Sequence, residues 1–93
     1  MSLWRHKPLE VEVYRLTRNV ESEAPAWFVD AINSERIFID RSIVDGASVV
    51  YGCTIFTKTN VIRAKVGDYI VHDVKGEIYP CKADVFKQAF EKI

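Results

Sequence analysis

The sequence predicts an α+β fold. We expect a mainly antiparallel, curved sheet of about five or six strands, with one helix inserted after the first strand and another at the C-terminus. Three observations lead there. Leu9, Val11 and Val13 alternate with Glu10 and Glu12, the period-2 signature of a strand with one wet face. From Arg36 to Pro80, apolar β-formers are punctuated by turn signals at Asp45-Gly46, Lys58-Thr59-Asn60, Gly67-Asp68 and Asp73-Val74-Lys75-Gly76. On either side of that run lies a segment whose apolar residues recur at helical spacing.

The first strand opens after Pro8, where a missing N–H does no harm. Beyond Val13 the phase slips, and Tyr14 and Leu16 become the bulky pair, as a bulge or the strand's exit would produce. A helix start follows at Glu21-Ser22-Glu23-Ala24-Pro25. Ser22 can cap free backbone N–H groups, Glu23 suits the positive end of the helix dipole, and Pro25 is tolerated in a first turn. Trp27, Phe28, Ala31 and Ile32 form the apolar stripe, and Asn33-Ser34 the stop.

Arg36 to Asp40 leans towards a short strand. After the Asp45-Gly46 turn, Ala47 to Thr57 reads as a longer one, in which Gly52 marks a bulge or a close backbone approach. Asn60 is expected to take positive φ in the connection to a strand over Val61–Val66. The segment Gly67–Ile93 reads as a turn, a hairpin and a helix. Tyr69–His72 and Glu77–Pro80 pair across a connection with Gly76 left-handed. Lys82-Ala83-Asp84 then opens a helix whose stripe is Val85, Phe86, Ala89, Phe90 and Ile93.

Ninety-three residues make one domain, 1–93, with room for one core and little more. Met1-Ser2-Leu3 reads as an expression-derived start. Hydrophobic content of 48% and charged content of 28% lie in the globular range. Thirteen basic residues balance thirteen acidic ones, so no net field draws in nucleic acid or anionic lipid. No apolar run approaches the ~20 residues of a membrane span. Cys53 and Cys81 are expected to be free thiols in a reducing cytoplasm.

No residue set amounts to an active site. His6, His72, Cys53 and Cys81 show no CxxC, HxxxH or HExxH spacing, so no metal or other cofactor is expected; His72 and Cys81 could meet only across the last hairpin. Cys81 precedes a helix N-terminus, a setting that lowers thiol pKa, with His72 as a conceivable base. Against that thiol-enzyme reading, a cysteine at a strand-to-helix junction also serves as a small buried hydrophobe. Asp68 and Glu77 suit turn-locking and solvated roles better than a tuned acid–base pair. Nucleic-acid binding would rest on Arg63, Lys65 and Lys75 along a sheet edge, with Tyr69 and Tyr79 as stacking platforms. The four glycines are dispersed, without a phosphate-cradling pattern.

Gly67-Asp68-Tyr69-Ile70-Val71, Val74-Lys75-Gly76-Glu77-Ile78-Tyr79-Pro80-Cys81-Lys82 and Asp84-Val85-Phe86 follow one another in order, and Lys7-Pro8-Leu9 leads into Val11-Glu12. This pattern resembles a family of small proteins encoded by bacteriophages and prophages. The resemblance covers roughly residues 67–91 and, less closely, 6–14. Family members tend to carry proline where Ala83 stands and glycine near Asn60. The resemblance implies a phage or prophage origin and the bacterial host cytoplasm, and it transfers no catalytic residue. Gly67, Asp68, Gly76, Pro80, Cys81 and Phe86, the recurrent motif residues, all admit folding roles in turns, an edge strand and helix packing.

The functional expectation is a non-enzymatic interaction module without a membrane partner. It would bind a host or phage protein, a homo-oligomer through a sheet edge being one form of this. Exposed aromatics among Trp4, Trp27, Tyr51, Tyr69 and Tyr79 are the expected contact surface. A nucleic-acid-binding accessory protein is the alternative, and a thiol enzyme using Cys81 the third reading.

Overall fold

A computed structural model describes residues 2–6, 9–89 and 91–92, with side chains over 11–88. The element order is β1 (Ser2–His6), β2 (Leu9–Arg15), α1 (Val20–Glu23), α2 (Ala26–Asn33), β3 (Ile37–Val44), β4 (Ala47–Phe56), β5 (Val61–Lys65), β6 (Tyr69–His72), β7 (Ile78–Cys81), α3 (Ala83–Ala89) and β8 (Glu91–Lys92). The α+β class therefore holds. The single curved sheet does not: the strands divide into a five-stranded antiparallel sheet, β7-β6-β2-β1-β8, and a three-stranded one, β3-β4-β5.

The corner between the sheets lies at Gly67, whose φ of 101° is open to glycine at little cost. There the chain leaves β5 and is captured by the end of β2. Gly67 N–H donates to the Leu16 carbonyl, and Leu16 N–H to that of Asp68, each at 2.9 Å. The Asp68 side chain accepts from Lys65 N–H at 3.0 Å and fixes the turn. The outgoing strand, β6, consequently pairs with β2 instead of running back beside β5.

The apparent phase slip in β2 has a different cause from a bulge, because its register with β6 runs unbroken from Glu12↔His72 to Arg15↔Tyr69. Both faces of the strand are covered. Val11 and Val13 join Tyr69, Val71 and Phe86 in one core, under α3. Tyr14 and Leu16 join the other core, built around Phe28, Ile37, Ile55 and Ile70 between the two sheets and α2. A strand covered on both sides reads as continuously apolar rather than alternating.

The inserted helix is broken in two. Ala24 is extended (φ −66°, ψ 137°) because the residue before a proline is disfavoured in the α region, and Pro25 becomes the N-cap of α2. Ser22 lies inside α1 and caps nothing. After Asn33, Ser34 is the C-cap and Glu35 takes φ 64°. Arg36 N–H then donates to the Ala31 carbonyl and Glu35 N–H to that of Ile32, which is a Schellman closure with glutamate where glycine is usual.

Among the described residues, the C-terminal hairpin and helix form as expected. Gly76 is left-handed (φ 83°), and the Asp73 carboxylate accepts from the N–H groups of Lys75 and Glu77, both at 2.9 Å. The described helix runs over Ala83–Ala89, and Glu91–Lys92 pairs with Trp4 and Arg5 of β1. Val85 is exposed, whereas Phe86 is fully buried and stacked on Tyr69 with centroids 4.1 Å apart. Asn60 is not in the left-handed region; it holds its turn through side-chain and backbone bonds with Thr57 and Val61. Pro8, Phe90, Ile93 and the side chain of Trp4 lie outside the described residues.

Candidate functional site

Among the described residues, the most exposed apolar feature is one hairpin. Asp45 and Gly46 both have positive φ (50° and 78°), the requirement of a two-residue type I′ turn, and this closes β3 onto β4 through the pair Val44↔Ala47. From Arg41 to Ser48 every residue is exposed, so this end of the hairpin stands clear of both cores on both faces. Ile43 is 73% exposed and Val44 50%, although both are strand residues of high apolar character.

Lower down, the hairpin is bent by a bulge. Asp40 faces Gly52 but Arg41 faces Val50, which leaves Tyr51 as an extra residue on β4 and turns its ring to solvent. Gly52 sits against the backbone of β5, where a side chain has no room. On β3 itself the alternation is uninterrupted. A two-residue turn makes Val44 a hydrogen-bonded partner of β4, and Phe56 N–H donates to the Arg36 carbonyl at 2.8 Å at the other end. The even-numbered residues between them therefore direct their backbone groups at β4. Ile37, Ile39, Arg41 and Ile43 direct theirs outward. Among the described residues β3 pairs with no strand but β4, so this edge is open.

A groove of about 720 Å³ runs along that same edge. Val20, Val29 and Ile32 from the two helices form one wall, while Phe38 and Phe56 form the opposite lip. Its charged lining residues are Glu21, Glu35 and Arg41, of which Arg41 and Glu21 form an ion pair. Phe38 is 64% exposed, so the lip is available from solvent. The arrangement offers a row of unpaired backbone donors and acceptors beside an apolar trough, which is the form of a strand-addition site.

The chain matches no protein-family model, and no curated protein or solved structure is significantly similar to it.

The sequence-derived site residues are dispersed. Tyr69 is buried beneath Phe86 and offers no contact surface. Trp27 is half-buried and stacked on His72 at 5.1 Å, and Tyr79 is half-buried against the α3 core. Tyr51 alone of the described candidates is well exposed. Arg63 and Lys65 lie on β5 and Lys75 on the β6–β7 turn, in different sheets, and the expected Tyr69 platform is internal. His72 faces Ile78 and Cys81 faces Tyr69, so the histidine and cysteine occupy opposite ends of their ladder.

Cys81 caps the junction before α3, half-buried. Burial, with Asp68 and then Asp84 nearby, pushes its thiol above the ordinary value, the direction opposite to thiolate activation. Cys53 is fully buried, and burial, with Asp40 and Asp68, pushes it up to about 12. No group of three or more His, Cys, Asp or Glu side chains is placed to hold a metal among the described residues, and no helix there is long and apolar enough to cross a membrane. Sequence reasoning ended β3 at Asp40 and so missed the open edge. The available signal was Ile43-Val44 directly before Asp45-Gly46, an apolar pair leading into a type I′ turn.

Proposed function

We propose that this chain is a protein-interaction module that binds by strand addition at β3. An extended segment of a partner lies antiparallel to β3 and bonds the outward backbone groups of Ile37, Ile39, Arg41 and Ile43. Its alternate side chains enter the trough between β3 and the helices or rest on Phe38. The coincidence of the open edge with the apolar groove supports this reading; an edge left long, apolar and uncovered is otherwise a hazard that folds avoid. The resemblance to phage-encoded proteins adds the setting, a host or phage protein in the bacterial cytoplasm. No step of catalysis enters this function.

The test is selection of extended peptides against the immobilised protein, followed by amide exchange on the complex. Binding should protect the amides of Ile37, Ile39, Arg41 and Ile43. Ile43→Pro, which removes an outward N–H from an exposed position while leaving the β3–β4 ladder whole, should abolish binding. Peptides that bind with no protection along β3 would refute the proposal.

A further inference from the structure

Resting on that reading, we infer that the segment added to β3 is β3 of a second copy, giving a two-fold homodimer centred on Arg41. Residues directly opposite in an antiparallel pair share a face, so a two-fold seam can be centred only on a residue, and β3 offers two central ones, Asp40 and Arg41. Centring on Asp40 sets two carboxylates face to face. Their neighbour Thr54, which donates to Asp40 at 2.9 Å, is neutral and leaves that repulsion uncompensated.

Centring on Arg41 removes the conflict. Each Arg41 already carries its own Glu21, so the centre holds two cations and two anions. This register sets Ile39 against Ile43 of the second copy and Phe38 against Val44, apolar against apolar on both faces of the seam. Asp40 meets Ser42, a hydroxyl donor. At each end Arg36, whose guanidinium donates to the Gly76 carbonyl of its own chain, falls opposite Gly46 of the other copy. The residues it covers, Phe38, Ile43 and Val44, are those the isolated chain leaves most conspicuously exposed on β3. The five-stranded sheet offers no such edge on β7, which is four residues long and carries Pro80.

Light scattering across a dilution series should give twice the chain mass of 10.7 kDa at high concentration. Ile43→Pro and Ile43→Lys should each give a monomer with an unchanged circular dichroism spectrum. The register is read in a Cys81→Ser background. Asp40→Cys and Ser42→Cys proteins, mixed and mildly oxidised, should form a disulfide-linked dimer, whereas either alone should not, because 40 faces 42 across a narrow pair. A dimer that survives both Ile43 substitutions, or one that cross-links through Asp40→Cys alone, overturns the inference. A wild-type monomer at every concentration also overturns it. Edge protection by a selected peptide would then leave strand addition standing, and its absence would remove both.

Discussion

Gly52 lies so close to β5 that a Cβ placed on it would sit 2.2 Å from the carbonyl oxygen of Ala64. The obstacle is backbone on a paired strand, which cannot rotate aside, so the bulge beside Tyr51 and the bend of the β3–β4 hairpin depend on this contact. Gly52→Ala should force the strands apart and destabilise the protein by about 3 kcal/mol, at the upper end of overpacking costs. Denaturant titration measures this, and a loss below about 1 kcal/mol would show that the strands can separate freely.

Glu35 gives the opposite expectation. Its φ of 64° closes the Schellman turn after α2 without the freedom of glycine. Glu35→Gly should relieve strain worth roughly 1 kcal/mol, offset in part by greater freedom of the unfolded chain. A rise in melting temperature of a few degrees is expected, and a fall would mean that the glutamate side chain has a stabilising contact of its own.

Asp73 holds the β6–β7 turn through two backbone N–H groups, those of Lys75 and Glu77. Asp73→Ala should cost about 1–2 kcal/mol, and exchange of those two amides should accelerate. Asp73→Asn, which keeps an accepting oxygen, should recover most of the loss.

The two thiols should separate by reactivity. At neutral pH both should react slowly with a thiol reagent in the folded state, Cys53 far more slowly than Cys81. Rapid labelling of Cys81 would restore the case for a thiolate function. Cys53 also ties stability to alkaline pH. Its folded pKa, raised to about 12, exceeds that of the unfolded chain, so above about pH 9 the unfolded state binds fewer protons. Stability is fully present below that point and is lost as pH rises towards 12, by up to about 1.4 kcal/mol per pH unit. Comparing denaturation midpoints at pH 8 and 10.5 for wild type and Cys53→Ala isolates this slope. Equal slopes in the two proteins would remove Cys53 as its source.

Most of the turns were settled by the sequence itself, Asn60 being the exception. Asp45-Gly46, Gly67 and Gly76 take the positive φ that their spacing demands, and the hairpin-to-helix order of the C-terminal third is local in the same sense. Pro25 separates α1 from α2 by an equally local rule. Only the tertiary structure decided that β2 is covered on both faces, that Tyr69 turns inward onto Phe86, and that the strands part into two sheets at Gly67. It also decided that β3 is an edge with a groove beside it. These are contacts between segments tens of residues apart, and an alternating pattern states which residues share a face without stating what, if anything, comes to cover it.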